Sequence, residues 1–148
     1  MYVVHLYAEA ENEAPRNMQR MAGYVLECTT ASGKIRTVEN FTKYTGTYHA
    51  VVLSVIVEAL KRINQSCELH IHTKDEYVLM AIDKNLHIWA GNGFRTAKGE
   101  LVKNHFEWSR IWELLNKHLI VAEQGPHTYY SWMVSEMKRN AGDSRNTE

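Results

Sequence analysis

The run Leu69-His70-Ile71-His72-Thr73-Lys74-Asp75-Glu76-Tyr77-Val78 constrains the fold more than any other stretch of this chain. Apolar and polar residues alternate from Leu69 to Thr73, the period of two expected of a strand. Helix signals follow with no intervening loop. Thr73 and Glu76 have the spacing of a capping box, Asp75 is an alternative cap, and Tyr77 to Ile82 continues as an apolar helix face. A strand that feeds a helix directly belongs to an α/β sheet, and in open α/β sheets the end of such a strand is where sites are built. Here that end carries Lys74 and Asp75.

The flanking sequence fits the same architecture. Val3 to Tyr7 reads as a first strand ending at Ala8 and Glu9, and Ala10 to Arg20 as a polar loop. Gly23 to Thr29 and Lys34 to Phe41 read as strands joined across Ala31-Ser32-Gly33, a turn consistent with a hairpin. Thr47 to Ile63 is helical and apolar around most of its circumference, the mark of a buried helix. After the Leu69 strand and its helix comes a segment from Asn85 to Lys103. Asn104 and Glu107 then have capping-box spacing for a helix whose Trp108, Ile111, Trp112 and Leu115 share one face. Leu119 to Ala122 makes the last strand, Gln124-Gly125-Pro126-His127 a turn, and Tyr129 to Arg139 the last helix. The order predicts a mixed five-stranded sheet, three antiparallel strands plus parallel βα units, flanked by helices.

With 148 residues the chain suits one domain, read as 1–140, followed by a polar tail at 141–148 expected to be disordered. Basic and acidic residues both number 17, so no net field draws the protein to polyanions, and such binding needs a local patch. Cys28 and Cys67 lack metal or redox spacing and read as reduced thiols. No stretch has the apolar length of a membrane span, and the start lacks the pattern of a signal peptide, so the expectation is a cytoplasmic protein.

Several strings resemble type I ribonuclease H. Trp89, then Gly93-Phe94-Arg95-Thr96-Ala97, then Leu101-Val102-Lys103-Asn104 and Trp108 are similar to that family's handle, where W, G-W-K-T-A, P-V-K-N and L-W follow one another. Val57-Glu58-Ala59-Leu60 resembles the end of its central helix, and Thr73 with Tyr77-Val78 its T-D-S-Q-Y-V string. The resemblance spans roughly residues 3 to 139. It implies a ribonuclease H-like fold and, in the family, four carboxylates that hold two divalent ions for cleavage of RNA in an RNA–DNA hybrid.

Carried over residue by residue, those carboxylate positions fall on Glu9, His49, Lys74 and Ser135, of which only Glu9 is an acid. An ammonium roughly 4 Å from a divalent ion is repelled by about 8 kcal/mol at an effective dielectric of about 20. The expectation is therefore a noncatalytic domain without a cofactor. In it Glu9 and Lys74 form an ion pair in the old metal site, because a buried charge needs a partner. A register slip that brought Asp75 and Glu136 beside Glu9 would instead give a hybrid nuclease using Mg²⁺ or Mn²⁺. A slip of one residue, however, turns a strand side chain to the other face. Glu9, His49 and His72 are also considered as zinc ligands. Against that stands the adjacent Lys74, and lone histidines are commonly just packed.

The family's T-N-N-R-M-E run, which contacts the hybrid, corresponds to Tyr44-Thr45-Gly46-Thr47-Tyr48-His49 and has lost its amides. The loop after the first strand carries Glu11 and Glu13 in place of glycines. Arg95, Lys98 and Lys103 with Trp89 and Phe94 between them remain a candidate nucleic-acid grip through the handle. A protein partner, favoured by the balanced charge, is the other expectation.

Overall fold

The computed structural model describes residues 2–146, with side chains described as far as residue 141. Five strands, β1 (Tyr2–Ala10), β2 (Met18–Thr29), β3 (Ile35–Gly46), β4 (Cys67–His72) and β5 (Leu119–Glu123), form one sheet in the order β3-β2-β1-β4-β5. The first three strands pair antiparallel, and β4 and β5 join in parallel, as the element order predicts. The β2–β3 turn closes through Gly33, whose amide donates to the Thr30 carbonyl and whose φ of +83° favours glycine.

Two strand bounds differ most from the expectation. β2 begins at Met18 and β3 continues to Gly46, because the two pair in unbroken register from Met18↔Gly46 to Thr29↔Ile35. β3 is exposed on most of its length, so it carries no alternating pattern by which its end could be read.

Helix α1 (Tyr48–Leu60) fills the centre of one sheet face. Thr47 caps it by accepting from the Ala50 amide, and eight of its residues, from Tyr48 to Leu60, are buried. They pack with Leu6, Ala8, Leu69, Ile71, Trp108 and Ile111 into the main core. On the other face, α5 (Tyr130–Asn146) puts Met133 against Tyr7 and Val25. This helix extends into the stretch expected to be a disordered tail, and residues 147 and 148 lie outside the described residues.

Between β4 and β5 the chain forms α2 (Glu76–Met80), a π-helical turn (Ala81–Asn85), α3 (Leu86–Gly91) and α4 (His105–Leu115). α3 lies in a segment for which no helix was expected. Asp75 caps α2, its Oδ1 accepting from the Val78 amide, while Thr73 Oγ1 accepts from the Asp75 amide, so the Thr73–Glu76 box is replaced by the alternative. The Asn104–Glu107 box is also not formed: Asn104 sits at φ +61° and its side chain caps nothing.

Candidate functional site

The ends of β1 and β4 lie side by side, which brings Glu9 beside the Thr73-Lys74-Asp75 segment that leads into α2. Glu9 is 1% exposed. Both its oxygens accept from the Lys74 backbone amide, at 3.1 and 3.0 Å, and its Oε2 also accepts from His127 Nε2 at 2.7 Å. The His127 side chain is equally enclosed, at 3% exposure. The Tyr129 amide donates to its Nδ1, which leaves the ring proton on Nε2, facing the carboxylate. Burial raises the Glu9 pKa, and the hydrogen bonds from His127 and from Lys74 act against that rise.

The expected Glu9–Lys74 ion pair is therefore not what fills the site. The Lys74 backbone serves Glu9, whereas its ammonium turns outward to Glu13 at 3.0 Å and to the Tyr130 hydroxyl at 3.4 Å. Half of that side chain is exposed. The ammonium also lies 5.4 Å from the Tyr130 ring centre. Its pKa is raised by the hydrogen bonds to Glu13 and Tyr130. A long flexible side chain reaches solvent and a partner at little desolvation cost, and a short imidazole suits the enclosed position.

The other carboxylate positions are occupied in the same way. His49 Nδ1 donates to Asp75 Oδ2 at 2.6 Å, and the other Asp75 oxygen is the helix cap. Ser135 is exposed on α5, and Glu136 pairs with Arg139 at 2.5 Å. The shifted set of Glu9, Asp75 and Glu136 is thus divided among three separate partners. The zinc set divides too: His49 belongs with Asp75, while His72 stacks on Tyr7 at 4.3 Å between ring centres and meets His5 Nδ1 at 2.9 Å. Among the described residues no three histidine, cysteine or acidic side chains are arranged to hold a metal ion. Divalent ions of the kind the resemblance implies do not fit these residues, because each buried carboxylate already accepts protein donors on both oxygens.

Tyr48, at the start of α1, faces the same acids. Burial together with the charges of Asp75, Glu9 and Glu13 raises its pKa strongly, so it is a hydroxyl donor and not a base. The loop after β1 is held by Arg20, 1% exposed, whose guanidinium donates to the carbonyls of Asn12, Ala14, Arg16 and Gly46. A cleft of about 290 Å³ beside the site is walled by Thr73, Lys74, Leu79, Pro126, His127 and Tyr130.

In the handle, Trp89 and Phe94 are half-buried and pack on the core, Trp89 edge-on to Trp108 at 5.5 Å. Phe94 takes φ +61°, a conformation costing a bulky residue about 1–2 kcal/mol. Its own amide donates to the Trp89 carbonyl at 2.7 Å and its carbonyl accepts from the Val102 amide at 2.9 Å, which hold it there. Arg95 donates to the Gly99 carbonyl and stays exposed, as do Lys98 and Lys103. Phe106, at 77% exposure, with Ile88 and Leu101, supplies the exposed apolar surface that had been assigned to Trp89 and Phe94. Two residues that matter most here are not among the sequence candidates: His127, which the sequence places in a turn without a role, and Phe106. The first follows the Gly125-Pro126 turn and the second opens α4, and neither position carries a sequence signal of its contacts.

No family model matches the chain. Among curated proteins it is similar to ribonuclease HI of Xylella fastidiosa (strain Temecula1), 31% identical over 74 residues, which are 50% of this chain and 49% of that protein. It is also similar to ribonuclease H of Rhizobium meliloti (strain 1021), 35% identical over 72 residues, 49% of this chain and 47% of that one. The chain spans about half the length of the curated relatives it matches. Among solved structures, LC9-RNase H1, described as a type 1 RNase H with the type 2 active-site motif, superposes with a TM-score of 0.71 at 17% identity, covering 97% of this chain and 74% of that one. The foamy viral protease-reverse transcriptase in complex with RNA/DNA hybrid superposes with a TM-score of 0.61 at 20% identity, over 92% of this chain and 19% of that one. The sheet order, the helix placement and these superpositions together establish that the chain has a type I ribonuclease H-like fold.

Proposed function

We propose that this protein is a noncatalytic ribonuclease H-like domain that binds nucleic acid, RNA–DNA hybrid or single strand, through its handle. The observation that carries the reading is the closed state of Glu9. The one acid retained at the four family positions spends both oxygens on the Lys74 amide and His127. Recruiting it to an ion would break a buried pair, and the positions around it supply an imidazole already bonded to Asp75, an outward ammonium and an exposed hydroxyl. Arg95, Lys98 and Lys103, with exposed Phe106 nearby in sequence, offer charge for phosphates and a ring for stacking. The free thiols Cys28 and Cys67 accord with a reducing, cytoplasmic setting.

The test is incubation of the full chain with RNA–DNA hybrid in Mg²⁺ or Mn²⁺, beside binding measurements at two salt concentrations. We expect intact hybrid, and binding that weakens steeply with salt. Cleavage abolished by Glu9→Gln would overturn the noncatalytic reading. It would favour the alternative of a metal-dependent hybrid ribonuclease, which rests on the name ribonuclease H borne by the curated relatives. Absence of any salt-dependent binding would point to a protein partner.

A further inference from the structure

β3 is an edge strand of unusual regularity. It pairs with β2 in continuous register over its whole length, with no bulge to twist its free side away, and among the described residues no strand or helix pairs with its outer edge. Natural sheets usually blunt such an edge with charge, bulges or prolines. The charges here have a particular pattern. Glu39, Phe41 and Lys43 share one face by the period of two. Glu39 and Lys43 are both exposed, and their β2 neighbours are the apolar Val25 and Met21, so neither has an ion-pair partner among the described residues. The strand thus carries opposite, unpaired charges placed symmetrically about an aromatic residue.

We propose that the outer edge of β3 pairs with β3 of a second copy of this chain, antiparallel about a two-fold axis through Phe41, to make a continuous sheet across the dimer. A two-fold axis perpendicular to the sheet keeps equal faces together and sets each residue opposite one as far on the other side of Phe41. Glu39 then lies opposite Lys43 of the second copy, and Lys43 opposite its Glu39. Val38, 40% exposed, lies opposite Tyr44, and the two Phe41 residues lie opposite each other at the axis, each ring leaning back over Gly23 of its own β2 and edge-on to its own Trp132 at 5.8 Å. Trp132 is itself 41% exposed and adds aromatic surface beside the seam. Moving the axis to Asn40 or Thr42 would set Glu39 opposite Phe41 or Thr45 and leave the charges unmatched. Isologous pairing of this kind is self-limiting, because both free edges are used at once.

Charge reversal tests the register. Glu39→Lys and Lys43→Glu each convert both attractive contacts into repulsive ones, weakening the dimer on the order of ten- to a hundredfold. Both positions are exposed, so far-UV circular dichroism and the unfolding midpoint should match those of the parent chain. Sedimentation across a dilution series should show monomer–dimer exchange for the parent, monomer for each variant alone, and recovery of dimer on mixing the two variants, since the mixed pair has both contacts complementary. As a check without substitution, hydrogen exchange of the Val38–Tyr44 amides in the parent should slow as concentration rises. A parent that remains monomeric, or a dimer unaffected by either reversal, would overturn the proposal, as would failure of the mixed variants to associate.

Discussion

His127 donates through Nε2 to the Glu9 carboxylate at 2.7 Å, with both side chains almost wholly removed from water. Residues 118 positions apart in sequence therefore close the end of β1. His127→Ala leaves an enclosed carboxylate with only the Lys74 amide to serve it, and should cost about 2–4 kcal/mol of stability. Glu9→Gln keeps a neutral acceptor for that amide and should cost about 1 kcal/mol. Urea unfolding of both variants and of the double variant would give the coupling, which should exceed about 1 kcal/mol. Purely additive losses would mean the pair is not a unit.

Arg20 anchors the loop after β1 by donating to carbonyls alone. Burial lowers the pKa of its guanidinium, the charge of Arg16 lowers it further, and among the described residues no acid forms an ion pair with it. Arg20→Met keeps most of the volume but removes every donor. The expected result is a loss of about 1–3 kcal/mol and faster tryptic cleavage after Arg16, read by mass spectrometry of the fragments.

Burial, and then the neighbouring charge of His5, bring the pKa of His72 down to about 4 from an ordinary 6.5. Glu123 works against this shift, whereas His127 and His70 add to it. The unfolded chain then binds more protons than the folded one between those two values. This contribution to stability is complete above pH 6.5 and is lost as the pH falls towards 4. His70 runs the other way: burial pulls its pKa down, but hydrogen bonds from its ring to Glu123 and Glu68 overcome that and raise it. In His72→Gln the fall in unfolding midpoint across that acid window should be shallower than in the parent, with the two proteins closest at the acid end. Parallel curves would show that His72 does not titrate with folding.

Lys98 and Lys103 are exposed and make no ion pair among the described residues, whereas Arg95 also holds the Gly99 carbonyl. If these lysines touch phosphates, replacing both with alanine should lower the salt-dependence slope of nucleic-acid binding by about two. Affinity should fall for every sequence alike, because backbone contacts carry no base information. Fluorescence anisotropy at several salt concentrations measures both. An unchanged slope would remove these two residues from the interface.

The fold was legible because its signals are local. The change of period at Thr73, the all-round apolar helix from Thr47 and the Gly33 turn each announce their element without reference to the rest of the chain. The site was legible only as a place. Sequence located Glu9 beside Lys74 but did not distinguish the lysine's backbone from its ammonium, and it is the backbone that bonds the carboxylate. The Glu9–His127 contact is made by tertiary packing alone, without any spacing rule to reveal it. The handle aromatics misled for a related reason. Trp89 looked free beside basic residues, yet it packs edge-on to Trp108, and Phe106 took the exposed place.

The π-helical turn at Ala81–Asn85 bears on how the handle is aimed. A π turn holds one residue more than the α turn it replaces. Deleting a single residue there would let α2 run on into α3 as one α-helix, and the later side chains of that helix would keep their bearings, because the wider turn already absorbs the extra residue. Ile88, now exposed, and Leu86, now in the core, would hold their present bearings. One continuous helical path therefore carries an extra residue between β4 and the handle without turning the face that α3 offers to the core.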